Sequence, residues 1–121
     1  MRQICEKCKV ESAIQVTTLE VVPPILLLYF NRFQFDGKSV SKNEMWVEFP
    51  EILDLGAIIG SRGKLSYRLM GVIYHEGNVG AGHYTCARND FGKWYKFDDQ
   101  RVKPTSALHS EKAYFLIYKI M

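Results

Sequence analysis

Two groups of residues in this sequence carry types and spacings that could do chemistry, and the first is His83 with the tandem acids Asp98 and Asp99. His83 opens the strand-like run His83-Tyr84-Thr85-Cys86-Ala87-Arg88. Asn89-Asp90-Phe91-Gly92 reads as a tight turn, and Lys93 to Asp98 returns as a second strand. If Asn89 and Gly92 close a two-residue loop, Arg88 faces Lys93 and, counting outwards, His83 faces Asp98. Opposed residues on one face of an antiparallel pair hold their Cβ atoms about 4.5–5.5 Å apart. A carboxylate at that distance accepts a hydrogen bond from an imidazole N–H, fixes the tautomer and leaves the other ring nitrogen free to act as a base. A one-residue bulge would bring Asp99 into register instead. A satisfied cross-strand pair at a sheet edge fits the same spacing, and spacing alone slightly favours that reading. Gly82, after a glycine-rich stretch, suggests close approach of something external to the backbone.

The second group is Cys5-Glu6-Lys7-Cys8. A C-x-x-C pair offers two thiolates from one turn to a tetrahedral zinc, although a structural site needs four ligands. A redox motif or a coincidental pair fits it equally. Cys86 stands three positions after His83, so in a strand it points to the opposite face and is expected to be a small buried hydrophobe. His109 is expected at the surface. Three cysteines, an odd number, argue against a secreted disulfide framework and for an intracellular setting, cytoplasmic or nuclear.

The elements that must position these residues are mostly strands. Ile14 to Val21 alternates loosely and ends at Pro23-Pro24. Ile25 to Phe33 is nearly all apolar, as in a strand covered on both faces. Phe35-Asp36-Gly37-Lys38 is a turn, and Trp46 to Phe49 alternates as a strand closed by Pro50. A helical turn is expected over Glu51 to Leu55, and a loop over Gly56 to Lys64. Leu65 to Tyr74 is a strand with Tyr67, Leu69 and Gly71 on one side and Arg68, Met70 and Val72 on the other. Glu76 to Gly82 reads as a loop, Asp99 to Lys112 as a polar stretch, and Ala113 to Ile120 as a last strand. At 121 residues, 47% hydrophobic and 24% charged, the chain has the size and composition of one soluble domain. The longest apolar run, Val21 to Phe30, is ten residues and too short to span a membrane. A net charge of +3 is spread along the chain, without the basic stripe that nucleic acid demands.

The run Gly82-His83-Tyr84-Thr85, followed by Gly92-Lys93-Trp94-Tyr95-Lys96-Phe97-Asp98-Asp99, resembles the histidine box of the ubiquitin-specific proteases, papain-like cysteine deubiquitinases. Pro24 to Phe33 is similar to that family's "P-x-L-x-x-x-x-x-R-F" strand. Val47-Glu48-Phe49-Pro50 with Leu53-Asp54-Leu55 is similar to its "v-x-F-P … l-D-L" segment. Tyr67 to His75 resembles the strand leading into the box, and Ala113 to Tyr118 its "A-Y-x-L-x-Y" strand. The resemblance implies an α+β, strand-dominated fold: the antiparallel sheet of the C-terminal part of such a domain over residues 16–121, with a zinc-ribbon remnant over residues 1–15. It implies that His83 is the general base, that Asp98 orients it, and that Asp99 assists or substitutes. His75, Gly82 and Tyr84 would flank the channel for the ubiquitin tail. Cys5 and Cys8 would be one pair of a structural zinc site whose other pair lies upstream, leaving residues 1–15 loose and catalysis without a cofactor. The partners implied are ubiquitin and ubiquitinated proteins, and not nucleic acid or membrane.

The departure from the family is large: the sequence has no "G-N-T-C" nucleophile motif, and the accompanying Asn that would stabilise the oxyanion is absent too. A Cys/His site without its cysteine is not a protease. The chain is therefore expected to be inactive alone, with the nucleophile supplied by an upstream segment or a second polypeptide. A non-catalytic module that binds ubiquitin or a partner is the alternative. A zinc-ribbon nucleic-acid module is disfavoured, because there is no second C-x-x-C.

Overall fold

The computed structural model describes residues 2–10, 13–60 and 65–121. Strands β1 (Arg2–Gln3) and β2 (Ala13–Ile14) pair antiparallel. Within the segment expected to be loose, residues 1–15, the described residues thus form a small ribbon with hydrogen bonds of its own, and residues 1, 11 and 12 lie outside the described residues. The Lys9 N–H donates to the Cys5 carbonyl at 2.8 Å and the Cys5 N–H to the Val10 carbonyl at 3.0 Å. The strand expected over Ile14 to Val21 stops at Ile14, because Val16, Leu19 and Val21 are exposed and no described residue covers their alternation.

The apolar run from Ile25 to Phe33, expected as one strand covered on both faces, is instead β3 (Ile25–Tyr29) and β4 (Phe33–Phe35). In β3, Leu26 and Leu28 pack on the core while Ile25, Leu27 and Tyr29 are exposed. Between the two strands Arg32 is buried and turns the chain. Its guanidinium donates to the carbonyls of Ala113 (2.7 Å), Met45 (2.9 Å) and Asn43 (3.0 Å). β4 forms a hairpin with β5 (Val40–Lys42) through the expected turn, where Asp36 Oδ1 accepts from the N–H groups of Lys38 and Ser39, both at 2.8 Å.

The segment Trp46 to Phe49 makes no ladder. Its alternation presses the Phe49 ring into the core rather than pairing its backbone. β6 (Ile52–Asp54) follows, and the expected helical turn lies further on, as α1 (Leu55–Ile59). Asp54 sets the start, because its side chain accepts from the Ala57 N–H at 3.2 Å, and Gly60 at φ 74° ends it. The loop expected over Gly56 to Lys64 therefore begins as helix, and its residues 61–64 lie outside the described residues.

Five strands complete the chain: β7 (Ser66–Gly77), β8 (Gly82–Asp90), β9 (Lys93–Asp98), β10 (Arg101–Pro104) and β11 (Ala113–Ile120). The main sheet runs β10-β9-β8-β7-β11-β3, antiparallel throughout, and β6 pairs with the start of β7. β10 occupies a stretch expected to be irregular. The alternation expected along β7 breaks at Met70. Leu69 and Gly71 pair with adjacent residues of β11, Tyr118 and Ile117, so Met70 is a bulge. Val72, expected beside Arg68 and Met70, is therefore fully buried with Tyr67, Leu69, Leu116 and Tyr118. The result is the strand-dominated α+β fold expected, with one short helix among the described residues.

Candidate active site

The hairpin of β8 and β9 turns on Phe91 and Gly92, which adopt φ 51° and 88°. Asn89 precedes the turn, and its Oδ1 accepts from the Gly92 N–H at 2.9 Å. The register is accordingly not the one counted from the sequence. Asp90 faces Lys93, Arg88 faces Tyr95, and the ladder ends at Cys86 opposite Phe97. A shift of two residues keeps every side chain on its face. His83 and Asp98 thus lie on one face as diagonal rather than direct neighbours, still within reach of long side chains. His83 Nε2 and Asp98 Oδ1 are 2.7 Å apart.

The electrostatics of the pair assign its protons. The Asp98 carboxyl is held below its ordinary value by the His83 hydrogen bond, so it is an acceptor at neutral pH. In the neutral ring Nε2 then carries the proton and the lone pair lies on Nδ1, which no described residue bonds. The imidazole is raised above its ordinary value, first by the Asp98 hydrogen bond and then by the charges of Asp98, Asp99 and Glu76. Asp99 adopts φ 52° and brings a carboxylate oxygen within 4.8 Å of a ring nitrogen of His83 and a carboxylate oxygen of Asp98.

Across the other edge of β8 the stretch expected as a loop, Glu76 to Gly82, is shortened by ladder at both ends. Glu76 faces His83, Gly77 faces Gly82, and only residues 78–81 turn. The close approach expected at Gly82 is real but internal. A Cβ there would lie 2.7 Å from the Glu76 carbonyl and would collide with His75 Nε2. His75 is itself buried in β7, its ring packed against Tyr84 at 4.7 Å, Tyr114 at 5.7 Å and Phe33 at 5.9 Å. Burial and the neighbouring Lys42 hold its imidazole below the ordinary value. Lys42 Nζ, from β5, donates to the His75 carbonyl (3.0 Å) and the Gly77 carbonyl (3.1 Å), and lies 3.1 Å from His75 Nδ1. Tyr84 is exposed beside this cluster.

Cys5 and Cys8 share a turn in the β1–β2 ribbon. The backbone N–H of Cys8 hydrogen-bonds the Cys5 thiol and holds it below its ordinary value. Two thiols fit half of a tetrahedral zinc site, and no other described residue joins them in a group of three or more metal-ligating side chains. Cys86 lines an apolar groove with Gly71, Ile73 and Ile117, on the face away from His83 as expected, but it is half-buried rather than buried. His109 is not a free surface residue. Its Nδ1 accepts from the Phe49 N–H at 3.3 Å and its ring meets that of Phe49 at 4.6 Å. Lys42, Glu76 and Lys112 escaped the sequence reading. Only Glu76 had a signal, because a tight turn between Gly77 and Gly82 would have put it opposite His83.

A model of the ubiquitin carboxyl-terminal hydrolase family matches residues 1–118, and the chain belongs to that family of cysteine ubiquitin hydrolases. Similar proteins include ubiquitin carboxyl-terminal hydrolase 10 of Saccharomyces cerevisiae, 34% identical over 95% of this chain and 15% of that protein. Human ubiquitin carboxyl-terminal hydrolase 21 is 32% identical over 98% of this chain and 22% of its own length. Among solved structures, the SAGA DUB module of Ubp8 bound to ubiquitin aldehyde matches with a TM-score of 0.80 at 29% identity, covering 100% of this chain and 30% of that one. The chain thus spans less than a third of the length of these relatives. Among the described residues no helix is long and apolar enough to cross a membrane.

Proposed function

We propose that these residues are the base-supplying part of a thiol-dependent deubiquitinase that hydrolyses peptide and isopeptide bonds at the C-terminal glycine of ubiquitin. The observation that carries this reading is the 2.7 Å contact of His83 Nε2 with Asp98, which leaves Nδ1 as a free base. Nδ1 takes the proton of a cysteine thiol, and the thiolate attacks the glycine carbonyl carbon. The imidazolium, held by Asp98, then gives its proton to the departing amine, and water hydrolyses the thioester. Asp99 assists the orientation. Tyr84 meets the ubiquitin tail, while the buried His75 shapes that wall from behind, through its contact with Gly82. The attacking cysteine comes from outside these 121 residues, since Cys86 faces away from the base. Cys5 and Cys8 supply two of the four ligands of a structural zinc and take no part in the reaction.

The chain alone should release nothing from a ubiquitin C-terminal amide and form no adduct with a ubiquitin-based thiol trap. Joined to a segment carrying the cysteine motif it should turn over, and His83→Ala should remove about 10²–10⁴-fold of that rate while ubiquitin still binds. Full activity in His83→Ala, or stable labelling of Cys86, refutes the assignment. Binding without turnover after completion favours a non-catalytic module.

A further inference from the structure

Glu76 and His83 are directly opposed in the β7–β8 ladder, and both line one polar cavity of about 350 Å³ on the base's side of the sheet. Opposed side chains sit close enough for the Glu76 carboxylate to reach the ring. The two make no hydrogen bond; Glu76 Oε1 is instead ion-paired with Lys112 Nζ. Lys112 is well placed to hold it. Its N–H donates to Ser110 Oγ at 2.9 Å, and its carbonyl accepts from the His75 N–H at 2.9 Å, which ties the segment before β11 to β7 beside Glu76.

Two carboxylates thus compete for one imidazole. Asp98 takes Nε2 and orients the ring; a free Glu76 would take a proton on Nδ1, the nitrogen the reaction needs unprotonated. We propose that Lys112 is a positioning residue that sequesters Glu76 and so keeps the Nδ1 lone pair of His83 available to a thiol. The inference rests on the reading of His83 as the base. The charged groups around His83 are Glu76 from β7, Lys96 and Asp98 from β9, Asp99 after it, and Glu111 and Lys112 before β11. His109 shares the cavity wall but is occupied with the Phe49 N–H. Of these, Glu76 is the acid opposite the ring in the ladder, and its charge already acts to raise the imidazole.

The test reads His83 itself and then turnover. Long-range proton–nitrogen NMR of the chain should show wild-type His83 protonated on Nε2 at neutral pH. Lys112→Met should protonate Nδ1 as well and raise the imidazole pKa by about half a unit or more. Glu76→Gln in the same chain should undo both changes, and Lys112→Arg should preserve the wild-type state. In the completed enzyme Lys112→Met should lower kcat about tenfold with KM little changed, within the 10²–10⁴ that a positioned base contributes. Glu76→Gln should restore it, and alone should leave turnover near wild type. A loss in Lys112→Met that Glu76→Gln does not restore assigns Lys112 a purely structural role and overturns the proposal. So does Lys112→Met with unchanged protonation and turnover. A wild-type His83 without the Nε2 proton would instead overturn the reading of His83 as the base, so the two failures are told apart.

Discussion

The side chains of His83 and Asp98 are 45% and 48% exposed, and ion pairs in such surroundings add little to stability because water screens them. Their value to the protein is the fixed tautomer. The same pair nevertheless gives stability a pH signature. The lowered Asp98 contributes above its ordinary value near 4 and loses that contribution as pH falls through its folded value. The raised His83 contributes below its ordinary value near 6.5 and loses it as pH rises through its folded value. The pair is therefore fully stabilising between about pH 4 and 6.5. Asp98→Asn should lower stability inside that window relative to more acid and more alkaline pH and bring the His83 pKa down, read by urea denaturation at several pH values and by NMR titration. An unmoved pKa would mean that Asp98 does not hold the ring. This contact was legible in the sequence although its register was not. The count placed the turn one step early, at Asp90 and Phe91, because Asn89 and Gly92 look like turn closers while Phe91 at φ 51° does not look like a turn residue. The error was an even number of residues, so the face survived. Lys42 and Lys112 were invisible because each meets its partner across more than thirty residues of chain.

At the scale of elements, the β7–β8 turn is built from behind. Lys42 ties β5 to the carbonyls of His75 and Gly77, and the His75 ring fills the space that a side chain at Gly82 would need. Gly82→Ala should therefore cost about 1–3 kcal/mol, as overpacking does, in urea denaturation. Gly80→Ala, where an added Cβ meets nothing within 4 Å, should stay within about half a kcal/mol. Equal costs at the two sites would contradict the packing described. The strands that the sequence leads one to expect and the fold lacks share one physical cause. Ile14 to Val21 and Trp46 to Phe49 alternate as strands do, but a strand needs a neighbour, and in this fold β7 and β11 find theirs elsewhere. The position of α1 was decided by the Asp54 cap rather than by apolar spacing.

At the scale of the molecule, the sheet has one covered and one open side. Leu116 is 2% exposed and packs with Val72 and Tyr118, whereas Leu27, on the neighbouring strand, is 59% exposed. Leu116→Ala should cost about 2–5 kcal/mol in chemical denaturation. Leu27→Ala in the same chain should cost no more than about half a kcal/mol. A comparable loss at Leu27 would show that the open side is covered. The strand order carries a further consequence, for synthesis on the ribosome. The meander from β7 to β10 is made of neighbours in sequence and can zip as soon as it emerges, so the histidine hairpin can form early. β3 emerges long before it but, among the described residues, pairs only with β11, which is made later than all the rest of the sheet. Until β11 is translated, β3 has no ladder to join, and Lys112, which leads into β11, is not in place to hold Glu76. A nascent chain thus forms the His83 hairpin before Lys112 is in place, and an apolar strand waits unpaired for the chaperones that bind such segments.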